Sequence, residues 1–68
     1  MVNSVFRAAE ILNMLSSGRN RITDICRGLG LSKGTTHRLL KTLGQCGFVF
    51  QDPMTHQYYL GHLIIKLS

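Results

Sequence analysis

A chain of 68 residues holds one small domain, a size at which a single core is marginal without a staple, a metal or a partner subunit. Its 44% apolar content argues against disorder. Eight Lys and Arg oppose only Glu10, Asp24 and Asp52, for a net charge of +5 and a pI near 9.9. That balance favours a polyanionic partner, most simply nucleic acid, over a domain whose charge only aids solubility. It also leaves no carboxylate pair for general acid/base work, so no enzyme activity is expected.

The first element is a helix over residues 4–16, capped by Asn3 or Ser4 and stopped by Gly18. Val5, Ala8, Ala9, Leu12 and Leu15 recur three and four apart and predict its inward face, with Arg7, Glu10 and Asn13 opposite. Phe6 and Met14 fall outside that face. Residues 19–22 read as a polar loop or a short strand. Thr23 is then a candidate N-cap, with Asp24 suited to the positive end of a helix dipole. Ile25, Cys26 and Leu29 supply the apolar side of a short helix ended by a left-handed turn at Gly30.

Leu31 plugs the turn, and Ser32 is the candidate cap of a third helix over residues 33–46, stopped by Gly47. Its inward face is Thr36, Leu39, Leu40 and Leu43. Gly34, Arg38, Lys41 and Gln45 lie opposite, flanked by Thr35, Thr42 and His37, with no acid and no bulky apolar group among them. The pattern then alternates. Residues 48–51 and 58–60 are strands joined by turn chemistry at residues 52–57, with Phe48, Phe50 and Tyr59 expected to pack on the core. Residues 62–67 begin a further helix.

Cys26 and Cys46 form no CxxC pair and are expected as free, mostly buried thiols in a reducing cytosol. No paired spacing joins them to His37, His56 or His62, so neither a metal nor another cofactor is expected. No apolar run approaches the roughly 20 residues of a membrane span, and the start of the chain lacks a signal-peptide pattern. A cytoplasmic location without membrane contact is the expectation.

The order helix, short helix, Gly turn, longer helix, hairpin predicts a mainly α winged helix-turn-helix. In that arrangement the third helix is a probe for the major groove, where Arg, Lys, Thr, Gln and His can read base edges. Gly34 would let the backbone approach the duplex, and Ser32 with the first-turn amides would hold a phosphate. His37 and Lys41 share the probe face. Arg21, Thr23 and the hairpin tip at Thr55, His56 and Gln57 are further candidate contacts. The rival function is a winged helix used only for protein contacts. A docking helix of that kind would show exposed aromatic or aliphatic anchors, which the third helix lacks. Phe6, Met14 and Ile64 are candidates for a surface between two copies of the chain, because Phe6 and Met14 exceed what one core needs and residues 63–67 are too apolar for a free tail.

Four stretches carry a resemblance: VFRAAEIL at 5–12, ITDI at 22–25, GLSKGTTHRLL at 30–40, and QDPMT at 51–55 leading to YYLG at 58–61. Together the chain resembles the N-terminal domain of the IclR family of bacterial transcriptional regulators. The resemblance implies a winged helix at residues 1–61 and, at 62–68, the start of a linker helix to a larger effector-binding domain. It implies that residues 32–41 enter the major groove, with Lys33, Thr35, Thr36 and Arg38 at the matching contact positions. It further implies a homodimer on a near-palindromic double-stranded operator, with a small-molecule effector altering the spacing of the two reading heads. Gly34 departs from the Ser usual in the family and removes a side-chain contact.

Overall fold

The computed structural model describes residues 3–67; Met1, Val2 and Ser68, at the ends of the two expected segments, lie outside them. The elements run α1 (Asn3–Ser16), α2 (Ile22–Leu29), α3 (Lys33–Gln45), β1 (Val49–Gln51), β2 (Tyr58–Leu60) and α4 (His62–Leu67). Three helices enclose a core of Ile11, Met14, Leu15, Ile25, Leu29, Leu40 and Leu43, and the hairpin closes it with Val49 and Tyr58. The strands pair antiparallel in the register Val49 with Leu60, Phe50 with Tyr59 and Gln51 with Tyr58. The architecture is the winged helix-turn-helix expected from the order of elements.

The inward face of α1 is rotated by about a quarter turn from the predicted one. Ile11, Met14 and Leu15 are buried, whereas Val5 is 68% exposed and Ala9 is exposed. Two side chains cause the shift. Met14, expected on the surface, is only 8% exposed because Gly28 leaves room for it: a Cβ there would sit 2.8 Å from the Met14 sulfur. Arg7, two helical turns nearer the N-terminus, lays its guanidinium across to α2. It donates to Glu10 Oε1 (3.1 Å) and to the Leu29 carbonyl (3.2 Å), one of the orphan carbonyls at the end of α2. Met14 is therefore no candidate for a surface between copies. Phe6, at 53% exposure, remains one, and Ile64 is half-buried.

Thr23 does not cap α2. The cap position belongs to Arg21, extended and without a side-chain capping bond, and Thr23 lies exposed in the first turn. The start is set from outside the helix. Tyr58 donates its amide to the Asn20 carbonyl (2.8 Å), and the Asn20 side chain donates to the Tyr58 carbonyl. This clasp holds residue 20 against β2, so the helix begins two residues later. Gly30, at φ +70°, ends α2 as expected, its amide bonding the Cys26 carbonyl.

In the hairpin the expected packing on the core holds for Phe48 but not for Phe50 and Tyr59. Val49 and Tyr58 point inward, Phe48 is half-buried beside the core, and Phe50 (55% exposed) and Tyr59 face outward. The strand begins only after Gly47, at φ +82°, has turned the chain, and a one-residue shift exchanges the two faces. Of the cysteines, Cys26 is half-buried and Cys46 exposed, not buried. Among the described residues no helix is long and apolar enough to cross a membrane.

The hairpin returns to the core through one close backbone approach. Gly61 donates its amide to the Phe48 carbonyl (2.8 Å), and a Cβ on Gly61 would lie 2.3 Å from the Gly47 carbonyl oxygen. Gly34, by contrast, has open space around its Cβ position. Gly61→Ala should therefore destabilise the domain by at least about 2 kcal/mol. Gly34→Ala should stabilise it by up to about 1 kcal/mol through helix propensity. Urea unfolding of both variants measures the contrast; equal effects would contradict the packing at Gly61.

Candidate nucleic-acid interface

The site begins with the cap of α3. Ser32 Oγ accepts from the Thr35 amide (3.2 Å) and donates to Thr35 Oγ1 (3.0 Å). The Ser32 proton is thus engaged within the chain, which leaves the Thr35 hydroxyl proton free to turn to an outside acceptor. Thr42 is committed differently, donating its hydroxyl to the Arg38 carbonyl (3.0 Å).

Beyond the cap, Lys33, Gly34, His37, Arg38 and Lys41 are exposed along α3, and Thr35 is half-buried. The side chains of the three cations and of His37 bond no other described residue. The single ion pair among the described residues is Arg7–Glu10, which leaves seven of the eight Lys and Arg without an acidic partner. Asp52 is turned to its own loop, accepting from the Met54 amide (2.9 Å). The face of α3 is consequently positive, with its donors unspent.

Thr36 does not belong to this face. It is fully buried, and its Oγ1 is the one buried side-chain oxygen without a hydrogen-bond partner among the described residues. Leu40 and Leu43 occupy the same side of α3, so any rotation exposing Thr36 would expose them too. The Thr36 side chain therefore makes no contact with an outside ligand in this fold.

A second group of candidates converges at the other end of α2. Arg21, Thr23, Thr55, His56 and Gln57, with Ile22, line an open groove of about 320 Å³ between the first turn of α2 and the hairpin tip. The tip is held by bonds from the Asp52 amide to the Gln57 carbonyl (2.9 Å) and from the His56 amide to the Asp52 carbonyl (2.8 Å). His56 adopts φ +63°, an uncommon left-handed conformation for a residue with a side chain. The Asn20 clasp brings these two segments together. Sequence reading did not find it, because its partner lies 38 positions away and nothing local to Asn20 signals it.

On the inner side of the hairpin, burial, and secondarily Cys26, pushes the Tyr58 phenol above its ordinary value. Its hydroxyl stays neutral at physiological pH.

A model of the IclR helix-turn-helix domain matches residues 4–53. Over 98% of its length the chain is 44% identical to the glycerol operon regulatory protein of Streptomyces coelicolor, covering 27% of that protein. It is 40% identical to the HTH-type transcriptional regulator XynR of Escherichia coli, over 97% of this chain and 27% of that one. The crystal structure of an IclR transcriptional regulator from Alicyclobacillus acidocaldarius superposes with a TM-score of 0.89 at 40% identity, covering 98% of this chain and 28% of that one. A Zalpha domain of Cyprinid Herpesvirus 3, solved with Z-DNA, shares the fold at a TM-score of 0.72 and 24% identity, over 79% of this chain and 90% of that one. The chain thus spans about a quarter of the length of the regulators it matches.

The burial of Thr36 has a direct consequence. Thr36→Val removes an unsatisfied buried hydroxyl at nearly constant shape and should raise stability by about 1 kcal/mol. Nucleic-acid affinity should stay unchanged, whereas Thr35→Val should weaken it. Thermal unfolding and a binding titration on each variant check this; loss of binding in Thr36→Val alone would return Thr36 to the contact face.

Proposed function

Because this chain belongs to the IclR family of helix-turn-helix domains, we propose that it binds double-stranded DNA sequence-specifically to regulate transcription, and that it catalyses no reaction. The observation that carries this reading is the outer face of α3, where Lys33, His37, Arg38 and Lys41 are exposed and free of acidic partners. A helix of this width fits the major groove, and its exposed groups are those that pair with base edges and phosphates. Arg38 is the reader, placed one turn into the helix, where a guanidinium can meet guanine O6 and N7. Lys33, Thr35 and Lys41 contact phosphate or neighbouring bases, and Gly34 admits the backbone close to the duplex. The hairpin is the wing: Thr55, His56 and Gln57 at its tip, with Arg21 and Thr23 across the groove, meet the flanking backbone.

The names of the relatives support regulation as the purpose of binding, and their greater length supports a further domain after α4. In this reading α4 begins the connection, the following domain takes a small-molecule effector, and two copies of the protein read a near-palindromic operator. Two copies would meet through apolar side chains exposed on the single chain, Phe6 with Val5 on α1 and Ile65 with Leu67 on α4. The half-buried Ile64 stands beside the latter pair. A different reading, a protein-contact role for the hairpin, draws on the outward-facing Phe50 and Tyr59.

If about three to five phosphates are met per protomer, log K should fall against log salt with a slope of roughly −3 to −5. Arg38→Ala should cost about 1–3 kcal/mol on operator DNA and much less on random DNA, while Lys66→Ala should cost little on either. Anisotropy titrations over a salt series measure both. A flat salt response rejects DNA as partner, and equal losses on both DNAs reduce Arg38 to a phosphate clamp. Sedimentation equilibrium tests the pairing of copies: the chain should self-associate and Phe6→Ser should weaken it. A monomer at high micromolar concentration would assign dimerisation to the following domain alone.

A further inference from the structure

Between α3 and the inner side of the hairpin lies a cleft of about 330 Å³. Its floor is apolar, made by the buried Leu40 and Val49. Its rim is polar, made by the exposed His37 and Lys41 on α3 and Gln51 on the hairpin, while the buried Tyr58 lies with the floor. Among the described residues no carboxylate lines it. Glu10 is paired with Arg7, Asp24 lies in a separate groove with Arg19 and Arg27, and Asp52 is bonded within its turn. Neither the His37 nor the Lys41 side chain bonds another described residue, so an ammonium and an imidazole stand over an apolar floor with no described carboxylate beside them.

Gly44 forms the remaining wall, and the fold gives no reason for a glycine there. Its φ is not left-handed, and a Cβ would make only ordinary contact, 3.7 Å from the Val49 carbonyl oxygen. Within a helix, glycine is about 1 kcal/mol less favourable than alanine. What the missing side chain does is hold the cleft open. The shape suits a body of one ring or a short chain, at the lower end of the size range of ligand sites. The charge suits a single negative group at one end of it.

We propose that this cleft binds a small organic carboxylate with an apolar body, the carboxylate on Lys41 and His37 and the body on Leu40 and Val49. Gln51, whose side-chain amide already donates to the His56 carbonyl (3.2 Å), has a second N–H to offer at the rim. His37 and Lys41 also belong to the face assigned to DNA. An occupied cleft therefore competes with DNA, a consequence that rests on the DNA reading; the binding itself does not.

The test is an amide-resolved NMR titration of the 68-residue chain with sodium benzoate at constant ionic strength. Benzamide and inorganic phosphate serve as the neutral and the non-apolar probes. Benzoate should shift the amides of Lys41, Gly44, Gln51 and Tyr58 saturably, with a Kd on the order of 1 mM, as expected for so small a ligand. Benzamide should bind about tenfold more weakly, and Lys41→Gln should lose a similar factor for benzoate, the equivalent of one charge-assisted hydrogen bond. Gly44→Leu should abolish binding while preserving the folded spectrum, since leucine favours the helix and fills the cleft. Shifts that never saturate overturn the proposal. So does phosphate matching benzoate, which would mean an anion on Lys41 without use of the floor, or a folded Gly44→Leu that still binds. No DNA is present in these titrations. Saturation by benzoate alongside a failure to bind DNA would therefore leave the cleft standing and remove only the competition.

Discussion

Gly30 adopts the left-handed conformation between α2 and α3, and that one turn decides the angle at which α3 leaves the core. The chain must reverse within the two residues Leu31 and Ser32 before α3 begins. A residue with a Cβ would resist that dihedral. Once the turn is made, Ile25 and Leu29 on one helix and Leu40 and Leu43 on the other enter the same core. Burial of one side of α3 then forces the opposite side outward, and the exposed cations follow from the burial of the leucines. The same logic withdraws Thr36: it shares the buried side and has no means of leaving it.

Around this turn, two links between distant segments hold the parts of the interface in relation. Arg7 ties α1 to the last carbonyl of α2, so the end of the helix that precedes the turn is held by a side chain from another element. Asn20 and Tyr58 exchange hydrogen bonds between the α1–α2 loop and the hairpin. That exchange sets the hairpin tip beside the first turn of α2. Both links stabilise orientation more than any single helix, because each joins elements that could otherwise shift separately. The Gly61 approach to Gly47 completes the arrangement at the base of the hairpin and starts α4 there.

The charge distribution is as informative as its sum. No Lys or Arg occurs between Lys41 and Lys66, so the hairpin contributes neither. The positive groups concentrate on α3 and on the stretch from Arg19 to Arg27. An interface built this way gains its attraction from the helix-turn-helix, while the hairpin offers neutral donors and aromatic surface. The cleft between α3 and the hairpin lies at the boundary of these two regimes, with cationic donors on one wall and apolar floor beneath.

Read from the residues alone, the chain determined its element order, the Ser32 cap, the Gly30 turn, the inward leucines of α3 and the existence of the hairpin. These depend on local chemistry: a hydroxyl three residues before the amide it accepts from, a glycine where φ is positive, a period of 3.6 that changes to two. Tertiary structure alone decided the phase of α1, the seat of Met14, the start of α2 and which face of the hairpin is buried. In each case the deciding partner is remote in sequence. Gly28 admits Met14, Leu29 draws Arg7 inward, Tyr58 displaces the expected Thr23 cap through Asn20, and the turn at Gly47 reverses the parity of Phe48 to Phe50. Periodicity counts apolar residues on a face. It cannot see a long polar side chain crossing to a neighbouring helix, or a glycine that makes room for a methionine.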